Sequence, residues 1–241
     1  MKKTILTITM ILFAVSAFSQ QIYKIKLDNI ADGLYEEMFG SVKITGEVAN
    51  GMKQGTWTEY HANMEMPHYI IQYNNDKKDG LYIEIDRQAY ITKKLEYKND
   101  LVSGTTYEWF RGGKLSKKQD YKDGKLDGKT VIYYDKGFLQ EESEYKDGKK
   151  NGVTIWYAYG DKEQGAKVAM YTYVDGKFEG LQETYYEDGS IMSQKMFSNN
   201  VLEGMAIEFY EDGSVKTEAK YKNGELKGKI KEYKKGKKFN D

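Results

Sequence analysis

A unit of about 24 residues recurs along most of this 241-residue chain, and its copies align on one glycine. Successive copies are separated by 25, 24, 24, 24, 28, 24 and 24 residues. A fixed period of this length is typical of repeat arrays, in which each unit is too small to bury its apolar face alone and stacks on its neighbours. We therefore expect one continuous array. The aligned glycines are Gly55, Gly80, Gly104, Gly128, Gly152, Gly180, Gly204 and Gly228.

The residues between these glycines indicate that each unit is a β-hairpin. Asn-Gly and Asp-Gly pairs tolerate positive φ, and between alternating runs they are a strong hairpin signal. No run between turns exceeds about eight residues, which is too short for a stable helix. The sequence predicts an all-β fold: an elongated single-layer antiparallel sheet of stacked β-hairpins, with about eight repeats of 24 residues. The turn pairs are Asp123-Gly124, Asp147-Gly148, Asp175-Gly176, Asn223-Gly224, Asp188-Gly189 and Asp212-Gly213.

Alternation along the first strand of each unit assigns its residues to two faces of the sheet. Counted from the aligned glycine, positions +1, +3 and +5 are mostly apolar or aromatic, as in Leu81, Ile83 and Ile85. We expect this row to hold the sheet together through cross-strand pairs. The opposite face, with glutamate at +4 in several units, is expected to be mostly wet. Aromatic residues there predict an interaction surface, consisting of Trp57, Tyr82, Phe110, Tyr134, Trp156, Tyr186 and Tyr210.

Composition narrows the choice of partners. Lys+Arg and Asp+Glu are balanced at 37 each, so no electrostatic attraction to nucleic acid is expected. Cysteine is absent, which excludes disulfides, thiolate metal sites and a cysteine nucleophile. The 22 tyrosines suit a half-wet sheet, because each ring has an apolar body and a polar tip.

The chain begins with a pattern typical of a secretory signal. Lys2 and Lys3 precede an apolar run, and Ala17-Phe18-Ser19 supplies small residues where a signal peptidase cleaves. The sequence predicts a signal peptide at 1–19, an N-terminal β cap at 20–46 with a strand over Ile22–Leu27, and the repeat array at 47–241. We expect an exported protein, periplasmic, at the cell surface or extracellular, with no transmembrane segment after cleavage near Ser19.

Two insertions interrupt the period, His61–His68 and Ala158–Gly165. Insertions in repeat proteins form loops, which are either neutral extensions or binding sites. Catalysis needs a converging acid, base and nucleophile, and no such set is evident. Turn formation explains the Asp-Gly pairs, which lack the acidic run of a calcium loop. We predict no enzyme activity, catalytic residues, cofactor or metal, with a hydrolase at the His61–His68 loop as a reserve hypothesis.

The unit that begins at Tyr121, Tyr-Lys-Asp-Gly-Lys-x-x-Gly-x-x-x-x-Tyr-Tyr-x-x-Gly, resembles the MORN-repeat variant of bacterial proteins labelled YwqK-family antitoxin components. The resemblance covers roughly residues 47–240. It implies an array of β-hairpins that serves as a binding or scaffolding surface, without shared catalytic residues.

These observations predict a non-enzymatic exported repeat protein that offers a protein-binding or scaffolding surface in the cell envelope. A first alternative is a polysaccharide-binding module that uses the exposed aromatic rows. A second is an antitoxin-like component of a toxin–immunity pair. Export, the regular array and the missing chemistry favour the scaffold, and the partner expected is an unidentified protein.

Overall fold

The computed structural model of the chain describes residue 22 and residues 25–27, 29–160 and 165–236. These residues form one open antiparallel sheet of 19 strands, and each strand pairs with those next to it in sequence. Two interrupted strands are exceptions: β11 and β12 both pair with β10 in the interior of the sheet, and β18 and β19 both pair with β17. The all-β, single-layer hairpin array predicted from the period is confirmed.

The strands are short and nearly uniform in length, as the period requires. They are β1 (Gly33–Phe39), β2 (Val42–Ala49), β3 (Met52–Tyr60), β4 (Pro67–Asn74), β5 (Lys77–Ile85), β6 (Ile91–Lys98), β7 (Leu101–Trp109), β8 (Leu115–Lys122), β9 (Lys125–Tyr133), β10 (Leu139–Lys146), β11 (Lys149–Lys150), β12 (Gly152–Tyr157), β13 (Lys167–Val174), β14 (Lys177–Tyr185), β15 (Ile191–Ser198), β16 (Val201–Phe209), β17 (Val215–Lys222), β18 (Glu225–Leu226) and β19 (Lys231–Glu232).

Two-residue turns connect consecutive strands along one side of the sheet, at the strand ends. Both central residues have positive φ, for example 50° at Asp123 and 78° at Gly124, as predicted for four of the turn pairs; at Asp188-Gly189 and Asp212-Gly213 only the glycine has positive φ. The second turn residue also donates its N–H to the preceding repeat: Gly124 N bonds Val102 O at 2.8 Å, and Gly148 N bonds Leu126 O at 2.8 Å. Every such turn from Asn75-Asp76 to Asn223-Gly224 repeats this bond. The turns therefore also join consecutive hairpins.

The aligned glycine lies at a β-bulge. Gln119 pairs with Thr130 and Tyr121 with Leu126, so three residues around Gly128 oppose Asp120 alone. Gly128 has a φ of +116°, and a Cβ added there would lie 2.9 Å from the Asp120 Cβ. Positive φ and this close approach together require glycine.

The two faces are packed in the opposite sense to the prediction. We call the face carrying Trp57, Ile71 and Thr130 the inner face, and the face carrying Tyr107 and Val131 the outer face. The predicted apolar row at +1, +3 and +5 lies on the outer face and is mostly half-buried or exposed. The buried row is at +2 on the inner face, in all seven units from Gly55 to Gly204. Alternation separates two faces, but it does not show which one becomes covered.

The main hydrophobic core lies at the N-terminal end of the inner face. Ile22, Ile25 and Leu27 pack there with Trp57 and Ile71, both of which have no solvent exposure. The indole lies directly over Gly46, and its Nε1 donates to the carbonyls of Glu47 and Gln54, each at 3.1 Å. The core also contains Tyr35, Ile44, Val48, Tyr69, Tyr73, Tyr82 and Leu95.

The strand predicted over Ile22–Leu27 does not form in the part of that segment that the structure describes. These residues cover the sheet face instead of extending its edge. The predicted signal segment 1–19 lies outside the described residues. Among the residues described, no helix has the length and apolar character needed to cross a membrane.

Candidate interaction surface

Trp57 and Tyr82 do not belong to an exposed surface. Trp57 is fully buried and Tyr82 is 6 % exposed, both within the core that Ile22, Ile25 and Leu27 cover. The prediction of an accessible row is therefore wrong for these two residues. Both look accessible in the sequence because they share a strand face with glutamates, but both lie in the core cluster that also contains Ile22, Ile25 and Leu27.

Phe110, Tyr134, Tyr186 and Tyr210 each directly follow a strand, at +6 from the aligned glycine. The three tyrosine hydroxyls donate to the carbonyl at +5 of the next repeat: Tyr134 to Tyr157 at 3.0 Å, Tyr186 to Phe209 at 2.7 Å, and Tyr210 to Tyr233 at 3.0 Å. These half-buried rings therefore join consecutive repeats at the edge opposite the two-residue turns. Phe110 occupies the same position without a hydroxyl.

His61 occupies the +6 position of its own repeat and makes the equivalent contact. Its Nε2 lies 2.8 Å from the Ile85 carbonyl oxygen, 24 residues ahead. The period predicts this contact, because His61 aligns with Tyr134. It was not recognised because His61 begins an irregular loop.

The second histidine of that insertion is packed between rings. His68 stacks on His61 with centroids 4.2 Å apart, and lies 3.8 Å from the Tyr69 ring. Burial lowers the pKa of His68 to about 4, with the charges of His61 and Arg87 acting in the same direction. Glu59 Oε1 is 4.0 Å from Nδ1, at the limit for an ion pair, so burial dominates and the ring is neutral near pH 7. The loop is a structural joint between repeats.

No group of three or more histidine, aspartate or glutamate side chains within the described ranges is placed to hold a metal ion. Tyr159, in the second insertion, packs edge-on against Tyr134 and Phe138 with centroids 5.1 Å and 6.0 Å apart. Residues 161–164 of that insertion lie outside the described part of the chain. The lack of enzyme activity stays a prediction.

Trp156 is the predicted residue that joins an accessible cluster of rings. Its ring centroid lies 5.1 Å from Tyr171, and Tyr171 lies 5.3 Å from Phe178. Phe178 in turn packs 4.9 Å from Tyr173 and 5.5 Å from Phe197. All five rings are half-buried and lie on the inner face. We call Trp156, Tyr171, Tyr173, Phe178 and Phe197 the aromatic patch.

One ion pair borders the patch and fixes its tryptophan. Lys150 Nζ lies 2.6 Å from Glu141 Oε1, and Trp156 Nε1 donates to Glu141 Oε2 at 3.0 Å. The same ammonium lies 4.7 Å from the Trp156 ring and 5.5 Å from the Tyr173 ring, within the range of cation–π attraction. Burial, with Glu141 nearby, raises the pKa of Tyr173 above its ordinary value. The patch is therefore a largely apolar surface, bordered by a Lys150–Glu141 ion pair that also holds the Trp156 indole.

The repeated hairpin, its bulged glycine and its edge contacts can be compared with known families. The MORN repeat variant matches residues 178–199 and 202–223. These two segments cover β14–β15 and β16–β17, so each matched unit begins in one strand and ends just past the next. No curated protein matches the chain. MORN repeats are in general modules that bind proteins or membranes.

Between the covered end and the patch, the inner face of β7 to β12 forms a groove. Its floor is a row of small polar side chains, and Thr130, Ser143 and Thr154 are at most 3 % exposed although no second layer of described residues lies on them. Larger inner-face side chains lie beside them along the strands. On one side these form a row of rings, one per repeat, which we call the ring row: Tyr97, Tyr121, Tyr145, Tyr173, Phe197 and Tyr221.

The ring row was not recognised as a candidate surface, although its signal is in the sequence. Each ring lies near the end of the second strand of its repeat, 24 or 28 residues from the next. The bulge at the aligned glycine places it on the inner face beside the floor. Period alone could have identified these residues as a set, but not the face they share.

Proposed function

We propose that this protein is a non-enzymatic, exported repeat protein whose inner face binds another protein in the cell envelope. The observation that supports this best is the aromatic patch, five half-buried rings on an uncovered part of a sheet. Partly exposed aromatic groups with paired polar neighbours are the composition that protein interfaces favour.

Rigidity supports the same proposal. Strand ladders hold the patch on β12 to β15, and the Glu141 contact fixes the orientation of Trp156. A surface that is already ordered loses little conformational entropy on binding. The match to the MORN repeat variant, a module that binds proteins or membranes, agrees with a binding role.

A polysaccharide is the second candidate ligand, because rings spaced regularly along a groove could stack on sugar units. The ring row, with one aromatic per repeat from Tyr97 to Tyr221, favours this candidate. The third, an antitoxin-like role, is the case in which the bound protein is a toxin.

The test is a comparison of captured material between variants. Mature protein (residues 20–241) is immobilised and exposed to extract of its own cell envelope, and bound protein and carbohydrate are both analysed. We expect one protein that is retained by the native chain and by Tyr107→Ala on the outer face. Trp156→Ala and Tyr173→Ala should each lose it by at least tenfold.

Circular dichroism of each variant checks that the sheet is intact. Equal retention by Trp156→Ala, Tyr173→Ala and the native chain would exclude the patch as the binding surface. Glycan retained in place of protein, and lost in the same variants, would favour the polysaccharide-binding module. Export is tested separately by the mass of the protein recovered from the envelope fraction, which should correspond to a chain beginning at Gln20.

A further inference from the structure

The open sheet has two edges, and β1 forms the first of them. Among the described residues, β1 pairs only with β2. The pair Phe39–Val42 closes a two-residue turn, so Phe39 and every second residue before it direct their peptide groups toward β2. The peptide N–H and C=O groups of Leu34, Glu36 and Met38 therefore point away from the sheet. A row of outward peptide groups of this kind can accept a further strand.

The side chains of β1 leave this edge accessible and make it acidic. Leu34 is 97 % exposed and Met38 is 58 % exposed, and exposed Glu36 lies between them on the outer face. Residues 29–40 contain three acidic side chains and no lysine or arginine. The lysines and prolines that commonly block pairing at a sheet edge do not occur in β1. We call β1 the acidic edge.

The last strands form the opposite edge and carry the opposite charge. Within the described part of the chain, β18 and β19 pair only with β17. Residues 225–236, which we call the basic edge, contain five lysines and two glutamates. Leu226 and Ile230 are 40 % and 50 % exposed, with Lys227 and Lys229 between them. The two exposed apolar residues of β1 have the same spacing of four residues, with glutamates between them.

Charge favours one of the three ways in which two such edges can meet. Two acidic edges would place glutamates beside glutamates, and two basic edges would place lysines beside lysines. Like charges across a strand pair are destabilising. Unlike edges attract each other, and each brings exposed apolar side chains to the contact. The charges therefore oppose pairing of like ends and support pairing of unlike ends.

We propose that the acidic edge of one copy of this chain binds the basic edge of a second copy, so that the sheets join end to end. The two partners use different surfaces, and a contact of this kind extends beyond the dimer. β18 and β19 run in the same direction as β1, so a copy stacked with its inner face on the same side joins through a parallel pair. This inference goes beyond the proposed function and does not depend on what the inner face binds.

The experiment is sedimentation velocity of the mature protein (residues 20–241) from micromolar to millimolar concentration. It is run at about 0.01 M and about 1 M salt, between which the Debye length falls from about 30 Å to about 3 Å. At low salt we expect species that grow beyond the dimer as the concentration rises. At high salt we expect association to be at least tenfold weaker.

Variants of the two edges identify the surfaces that meet. Glu36→Lys and Lys229→Glu should each weaken self-association at least threefold. An equimolar mixture of the two should restore it, because each changed residue then meets an opposite charge on the other variant. Leu34→Pro removes an outward N–H but no bond to β2, and should weaken association at least tenfold. The control is Glu187→Lys, the same charge change on an exposed turn between β14 and β15, which should have no effect.

Circular dichroism confirms that each variant keeps the sheet. A monomer at every concentration in low salt, growth that stops at the dimer, no recovery in the mixture, or unchanged association of folded Leu34→Pro would each overturn the proposal. Loss in both charge variants with recovery in their mixture supports it, since pairing of like edges would respond to only one of the two variants.

Discussion

The two ends of the inner face share one backbone plan but are packed differently. From β1 to β6 the floor is made of Trp57, Ile71, Tyr82 and Leu95, and the N-terminal segment covers it. From β7 to β12 the equivalent positions hold Thr106, Gln119, Thr130, Ser143 and Thr154, and the groove is open. The hairpin plan therefore does not require an apolar floor. At the covered end these positions are large and apolar, and from β7 to β12 they are small or polar.

The open end is stabilised by contacts of two kinds that also occur at the covered end. Turn N–H groups bond to the preceding repeat, and residues at +6 bond to the following one. The +6 bond is made by His61, Tyr134, Tyr186 and Tyr210, whereas Phe110 and Ala158 at the same position have no polar side-chain group. In arrays of this kind stability is approximately a sum of unit and nearest-neighbour terms, so the two ends can be perturbed separately.

The largest expected effect that separates the two ends is that of Trp57→Ala. The side chain is fully buried, and removing a large core aromatic costs about 3–5 kcal/mol. This loss of stability should appear as faster hydrogen exchange in β1 to β6, with exchange in β13 to β17 little changed. Trp156→Ala is the matched control at the open end, where a half-exposed ring should cost less. Equal effects of the two variants would contradict the separation of the sheet into a covered end and an open end.

Gly46→Ala should be next in size, and its effect is specific to the covered end. A Cβ at this position would overlap the Trp57 indole, which has no room to move within the core. We expect a loss of about 1–3 kcal/mol, measured by hydrogen exchange in β2 and β3. The control is Gly213→Ala, where φ is +77° but no atom lies within 4 Å of the added Cβ. Restoration of β2–β3 protection in a Gly46→Ala, Trp57→Leu double variant would confirm steric overlap.

A pH effect of smaller size is expected at the boundary of the covered end. The pKa of His68 is lowered in the folded chain to about 4 from an ordinary value of 6.5, so folding favours the neutral ring. The unfolded state therefore binds more protons in that window, and stability is full above about pH 6.5 and falls toward pH 4. For this half-buried ring we expect about 1 kcal/mol. His68→Gln should flatten the pH dependence of exchange in β3 and β4; an unchanged slope would refute the assignment.

The smallest effect should come from a contact that both ends use. Tyr186→Phe removes the hydroxyl that bonds the Phe209 carbonyl and keeps the ring, at a cost of about 0.5–1.5 kcal/mol. Loss of protection should be confined to β14 to β17. His61→Phe, at the equivalent position of the covered end, should have a similar local effect in β3 to β5. A much larger effect at either end would show that the Tyr186 and His61 contacts are not equivalent.

Much of the fold was predictable because the residues that decide it are adjacent in sequence. The period, the Asp-Gly pairs and the aligned glycine specify hairpins, turns with positive φ and the order of strands. Trp156 lies on a strand and is half-buried, and its part in an interaction surface stays a prediction. These features depend on local backbone preferences and on contacts between neighbouring repeats, and both repeat with the sequence.

Assignments that depend on distant contacts were not predictable. Trp57 and Tyr82 share a core with Ile22, Ile25 and Leu27, which are 30 or more positions earlier in the sequence. Tyr134, Tyr186 and Tyr210 become joints because each strand ends where a carbonyl of the next repeat accepts their hydroxyl. The patch around Trp156 assembles from four strands, and only their register brings the rings together.

The sequence by itself determined the repeating hairpin, because φ preferences at glycine, asparagine and aspartate act within a few residues. Tertiary structure alone decided which face is covered, which aromatic rings remain accessible and where the groove begins. The physical reason is that strand alternation is symmetric between two faces. Tertiary contacts break that symmetry: the +2 row of the inner face is buried in all seven units from Gly55 to Gly204, and the N-terminal segment packs at one end of the same face.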